Sequence, residues 1–249
     1  MDSLDRLHEL LCRFREAGDD HQVANLAFRL GDVYREKGRF DEALPLLEEA
    51  YTICRKLENE TGEAIVALSL TELHLAAGHP EQAEILARRA YRICAKADDR
   101  KGRARACLLL GDSHWARQNP REALPRYREA FELCSTSDDV LGSAVLLDRI
   151  AKMHRILEED DKAFTHFQEA LLRWEKLCLP DRMAMTYANL GDLCKKKGAV
   201  EEAIRFHRQA LELYRQMKDA RAVQAIEAEL STLEPAGVPD TPPPAGEQP

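Results

Sequence analysis

An all-α solenoid of antiparallel helix pairs is the fold class that the sequence predicts. Three observations predict it. Slid by forty residues, the 249-residue chain matches itself five times: Ala43, Ala83, Ala123, Ala163 and Ala203 form one register, and Ala50, Ala90, Ala130, Ala170 and Ala210 another. A fixed period in the range of about 20–50 residues is the mark of stacked supersecondary units. Within each unit, apolar and small residues recur at spacings of three and four, as in Ala24, Ala27, Leu30, Gly31 and Tyr34, and then in Ala43, Leu44, Leu47, Ala50, Tyr51 and Cys54. Each run places one apolar stripe along one helix. Aromatic residues make up only 6% of the chain, and the abundant Ala, Leu, Glu and Arg are good helix formers.

The elements follow in order. Residues 1–18 form an N-terminal capping helix, with Leu4, Leu7, Leu11 and Phe14 in the register of a second helix. Residues 19–218 hold five repeats, at about 20–59, 60–99, 100–139, 140–179 and 180–218. Gly38, Gly78 and Gly198 stand where first helices end, whereas Gln118 and Glu158 replace that glycine and predict tighter or more strained turns. Pro80 and Pro120 open second helices, where a missing N–H costs little. Small residues at Gly31, Thr71, Gly111, Ala151 and Gly191 are expected where the two helices of a pair cross. Residues 219–233, with Val223, Ile226, Leu230 and Leu233, form a C-terminal capping helix. Residues 234–249 carry six of the eleven prolines and read as a disordered tail. The PxxP of Pro239 and Pro242 lacks a flanking basic residue and makes poor SH3 bait.

The segments RLGDVYREKGRFDEALPLLEEAY (29–51) and NLGDLCKKKGAVEEAIRFHRQAL (189–211) resemble the tetratricopeptide repeat (TPR) through Leu30, Gly31, Tyr34, Gly38, Ala43, Leu47 and Ala50 and their later counterparts. The usual TPR period is about 34 residues, so a forty-residue unit implies longer helices. It is similar to the units of Leu-Gly-Asn repeat adaptors and rapsyn-like scaffolds, with Asp32, Asp112 and Asp192 where those adaptors carry Asn. The resemblance implies a superhelical array whose first helices line a concave groove that binds a peptide or helix of a partner protein. The implied groove residues are Asn25, Phe28, Asp32 and Arg35 in repeat one, then Ile65, Leu68, Glu72 and Leu75 in repeat two. Arg105, Leu108, Asp112 and Trp115 follow in repeat three, with Val145, Asp148, Arg149, Lys152 and Arg155 in repeat four and Met185, Ala188, Asp192 and Lys195 in repeat five. Phe28, Ile65, Leu68, Leu75, Leu108 and Trp115 are expected to form a continuous apolar strip. Asp32, Glu72 and Asp112 predict an acidic end to this groove, and Lys152 and Arg155 a basic one. Phe28 and Asp32 stand where a chaperone-tail clamp needs Asn and Lys.

Other classes are disfavoured. A net charge of −8 argues against wrapping nucleic acid. No apolar run reaches the roughly 20 residues of a membrane span, and the N-terminus lacks the order of a signal peptide. Seven cysteines without a CxxC pair read as free thiols of a cytoplasmic protein. Cys54, Cys94 and Cys134 recur at forty-residue spacing, as do His74, His114 and His154, and each set reads as a core register. Successive repeats lie roughly 10 Å apart, too far for one metal or for disulfides. No phosphate loop, GxSxG or HExxH is present, so neither a catalytic residue, a cofactor, a metal nor a small-molecule substrate is expected. The sequence therefore points to a non-enzymatic adaptor or scaffold. The alternatives are a structural or self-assembling subunit of a larger complex, and a regulatory domain for an enzyme supplied in trans.

Overall fold

The computed structural model describes residues 3–135 and 139–233, so the Pro-rich tail lies outside the described residues. Among those residues there are twelve helices and no strand. The chain forms two compact units, Met1–Glu158 and Glu159–Pro249. The first holds α1 (Ser3–Ala17), α2 (Asp20–Glu36), α3 (Phe40–Lys56), α4 (Glu60–Ala76), α5 (Pro80–Lys96), α6 (Arg100–Ala116), α7 (Pro120–Ser135) and α8 (Val140–Ile156). The second holds α9 (Asp160–Lys176), α10 (Pro180–Lys196), α11 (Val200–Gln216) and α12 (Ala220–Leu233). The division falls inside the segment 140–179 that the periodicity reads as one repeat. Within each unit consecutive helices pack pairwise, as an α-solenoid requires.

Nine of the helices span 17 residues each, separated by three-residue turns. One residue of each described turn is left-handed, with φ from 52° to 78°, and these residues fall on a twenty-residue rhythm. Gly18, Gly38, Gly78 and Gly198 adopt this conformation without strain; Glu58, Asp98, Gln118, Glu158, Cys178 and Lys218 adopt it too. For an L-residue it costs about 1–2 kcal/mol. At Gln118 the closing bonds, from Gln118 N to Trp115 O (2.8 Å) and Asn119 N to His114 O (2.9 Å), match those at Gly38. Gln118 and Glu158 therefore make strained turns of the ordinary size, not tighter ones. The closure satisfies carbonyls that the helix end leaves open, and this fixes the conformation whatever the side chain.

Four of the five first helices start on side-chain caps, and α10, preceded by Leu179, has none. Asn59, Asp99 and Asp139 accept from the backbone N–H of Gly62, Gly102 and Gly142 at 2.9, 3.0 and 2.8 Å. The register of small residues works as a set of sockets. A Cβ on Gly31 would lie 2.7 Å from Leu47 Cγ, and one on Gly191 would lie 2.7 Å from His207 Cε1. Gly111 makes the same room for the fully buried Tyr127. In repeat two the sizes are exchanged, with buried Thr71 in the small-residue register and Ala87 in that of Leu47 and Tyr127.

The cysteine register has a packing role. Cys54 Sγ and Cys94 Sγ sit where Cβ atoms on Gly62 and Gly102 would be, at 2.9 and 2.6 Å. Cys54 and Cys94 are buried and Cys134 half-buried, and burial pushes all three thiols up. His114 and His154 are also buried, the latter within 3.1 Å of Arg128.

Candidate functional site

The first-helix face of the first unit carries most of the residues implied as a groove. Asn25 and Trp115 are exposed there, and Phe28, Asp32, Arg35, Glu72, Leu75, Leu108, Asp112, Arg149, Lys152 and Arg155 are half-buried; Ile65 is 46% exposed and Trp115 37%. Leu68 is a correction. It is only 4% exposed and packs with Ala67, Ala106 and Leu109, so the apolar strip is interrupted in repeat two.

The reason lies in the spacing of successive first helices. Where α4 meets α6 the facing residues are Ala67 and Ala106, and both are fully buried in one cluster with Leu68. Two alanines let backbones approach closely and cover a neighbouring leucine. The same register in the next pair holds Cys107 and Leu146, and there α6 and α8 scarcely meet. In the preceding pair it holds Ala27 and Val66, and α2 and α4 touch at only a few positions. Openings follow the same order. A depression of about 310 Å³ lies between α2 and α4, lined by Asn25, Phe28, Cys54 and Ile65. A cleft of about 840 Å³ lies between α6 and α8 at positions eighty residues further on, lined by Arg105, Leu108, Cys134 and Leu146.

Charges on this face are mostly spent on one another. Arg35 bridges Asp32 (2.8 Å) and Glu72 (2.9 Å), and Arg105 reaches the same Glu72 at 2.6 Å. Asp112 accepts from Tyr127 Oη at 2.7 Å and lies 3.6 Å from Arg149. Burial holds the Asp112 carboxyl above the usual range, and Arg149 opposes this. Lys152 pairs with Asp148 at 2.7 Å. The expected division into an acidic and a basic end is thus corrected: Glu72 is neutralised by two arginines and Lys152 by an aspartate. Long side chains reach across adjacent helices, which a register of charges along one helix does not reveal.

Asp192 and Lys195 belong to the second unit. Lys195 bonds to Glu229 (2.6 Å) and Thr232 (3.0 Å) of α12, and Asp192 lies 3.8 Å from the buried His207. The last helix therefore takes up the charge of Lys195.

Sequence reasoning missed the cleft walls formed by Leu109, Leu133 and Leu146, and the exposed Arg100 and Lys101 at its rim. The signal that could have found them is the pair 107/146 read against 67/106. Among the described residues no cluster of three histidine, cysteine or carboxylate side chains could hold a metal, and no helix is long and apolar enough to cross a membrane.

The tetratricopeptide repeat model matches residues 2–56, 22–96 and 142–216, more than half of the chain. The protein belongs to the tetratricopeptide repeat family. Solved structures share this TPR fold. The chain superposes on a STAND signal-transduction ATPase with a tetratricopeptide repeat sensor, PH0952 from Pyrococcus horikoshii, with a TM-score of 0.76, 17% identity and coverage of 91% of this chain. It spans 34% of that protein's length. The apo form of RapI gives a TM-score of 0.79 at 16% identity, covering 86% of this chain and 78% of RapI. Putative kinesin light chain TPR-like repeats of Podosopora anserina give 0.63 at 18% identity, covering 85% of this chain and 98% of theirs. No curated protein matches the sequence.

Proposed function

We propose that this TPR protein is a non-catalytic adaptor whose first-helix face docks a segment of a partner protein. One observation carries the reading. Apolar side chains stay at the surface of that face, at Phe28, Ile65 and Leu108, which line depressions that recur two repeats apart, and at Trp115. A surface that only had to face water would not repeat such openings, and exposed apolar patches rimmed by charge mark interaction sites. The ion pairs of Arg35 and Arg105 with Asp32 and Glu72 make the floor between the depressions neutral. Affinity then comes from burying apolar ligand side chains, and the remaining charges set orientation.

A peptide library displayed on phage and selected on the full chain tests this. Selected clones should lose binding to an Ile65→Ser/Trp115→Ala variant, since both side chains are exposed and their removal leaves the core intact. The same clones should still bind Ile85→Ser/Leu172→Ser, which removes the exposed apolar groups of second helices. The opposite pattern would move the docking surface to the second helices.

A further inference from the structure

We infer that the cleft between α6 and α8 is the anchoring subsite of this face, and that it takes a partner segment pairing bulky aliphatic or aromatic side chains with adjacent carboxylates. The inference rests on the docking role proposed for the first-helix face and names the ligand chemistry at one place on it.

The cleft differs from the rest of the face in size, wall and charge. Its volume, about 840 Å³, lies within the range of sites that enclose a ligand, roughly 300–1,000 Å³. The depression two repeats earlier, at about 310 Å³, stands at the bottom of that range and has less than half the volume. The walls are aliphatic, from Ala104, Leu108 and Leu109 of α6, Leu133 of α7 and Leu146 of α8. An apolar wall of this kind rewards a bulky apolar side chain and nothing smaller.

Charge complementarity selects the neighbours of that side chain. The two acids of the rim are already committed, Glu72 to Arg35 and Arg105, and Asp139 to the backbone N–H of Gly142. Arg100 and Lys101 are exposed residues lining the same cleft, and neither is paired with a carboxylate among the described residues. The charged residues lining the cleft, Arg100, Lys101 and Arg105 against Glu72 and Asp139, sum to one positive charge, although the chain as a whole carries −8. A basic ligand would meet two like charges and the negative field of the chain. An acidic one meets two cations whose pairing costs no existing bond. Arg35, Arg105, Arg149 and Lys152, which the sequence places on this face, each have a carboxylate within 3.6 Å.

Fluorescence anisotropy on the full chain tests the assignment with three labelled peptides. One carries two Leu-Phe pairs flanked by glutamates, one has lysine flanks, and one keeps the glutamates but has serines for the apolar pairs. The first should bind about tenfold or more tighter than the other two, a difference of about 1.4 kcal/mol per tenfold. Arg100→Glu/Lys101→Glu should remove about tenfold at low salt, through association, and less at about 0.5 M salt. Leu108→Ser should weaken the same peptide at any salt. The bound peptide should slow alkylation of Cys134, which lines the cleft, and not of the exposed Cys12. Phe28→Ser, in the smaller depression, should weaken binding less than Leu108→Ser does, and Ile85→Ser, on the second helix α5, should leave it near wild type.

Equal binding of the three peptides, or binding of none, overturns the assignment. Loss of binding in Phe28→Ser with none in the Arg100/Lys101 variant also overturns it, while the docking role of the first-helix face survives. If light scattering instead shows a concentration-dependent dimer that Leu108→Ser returns to monomer, the cleft belongs to a second copy of the chain and the acidic-segment assignment fails.

Discussion

The α4–α6 seam and the α6–α8 seam occupy the same places in successive repeats and come out differently. In the first, Ala67 and Ala106 let the helices close, so Leu68 is buried and Arg105 reaches back to Glu72. In the second, Cys107 and Leu146 fill that place, so Leu108 keeps an open side and a cleft remains. The closed seam holds Leu109 against Leu68, whereas the matching position of α8 is Arg149, which turns to Asp112. Equal repeats do not make equal surfaces. Two side chains on neighbouring first helices decide whether a seam is core or binding surface.

The sharpest way to break this comparison is a matched pair of truncations. Leu68→Ala removes a buried side chain and should cost about 2–4 kcal/mol, whereas Leu108→Ala should cost under about 1 kcal/mol. Urea unfolding midpoints at unchanged slope would show it, and equal costs would mean that the two seams are packed alike. Ala106→Leu, which copies the open seam into the closed one, should destabilise by about 1–3 kcal/mol through overpacking and expose α4 amides to hydrogen exchange.

Acid offers a second handle, of moderate size, on the core behind the seams. Burial holds His74, His114 and His207 below the usual histidine range, against a raising influence from nearby carboxylates. A histidine depressed in the folded state contributes stability that is complete above its unfolded value near 6.5. That stability declines as pH falls below 6.5, because the unfolded chain then binds protons the fold refuses. Thermal midpoints should therefore drop between about pH 7 and pH 5, and His207→Phe, facing Gly191, should flatten that drop in the second unit's contribution. An unchanged pH profile would mean that His207 titrates alike in both states.

The smallest expected effect concerns the turns. Gln118→Gly relieves a left-handed L-residue between α6 and α7 but frees the unfolded chain, so the net gain should be about 0.5–1 kcal/mol. Thermal denaturation would register it as a rise of a few degrees, and a fall would show that the Gln118 side chain holds the turn.

The architecture was legible because small residues at crossings and apolar stripes repeat at a spacing visible in one dimension. Gly31 and Gly111, placed at crossings by register, do receive Leu47 and Tyr127. The twenty-residue rhythm of the turns was hidden, because six of its described positions hold residues other than glycine that backbone bonding forces into shape. Asn59-x-x-Gly62 and its copies at Asp99 and Asp139 repeat every forty residues, but their role as caps emerges only from the bonds they accept from the glycine N–H. The candidate site was less legible. Leu68 and Leu108 look alike in their registers, and their fates depend on residues thirty-eight positions further on, at Ala106 and Leu146. Likewise the Arg35–Glu72–Arg105 chain depends on side-chain reach between helices, which no single helix records.

The turn spacing has a bearing on how such a chain can change. With seventeen helical residues and three turn residues in nearly every step, one inserted residue inside a helix rotates all that follows in that helix by about 100°. Its crossing alanines would then face water. Length can change cheaply only by whole forty-residue cassettes, and the two halves of a seam belong to different cassettes. Duplicating or swapping one cassette therefore leaves the others intact but writes a new residue pair at each junction. A rearranged array would acquire or lose a cleft at the splice without any mutation in the cleft itself.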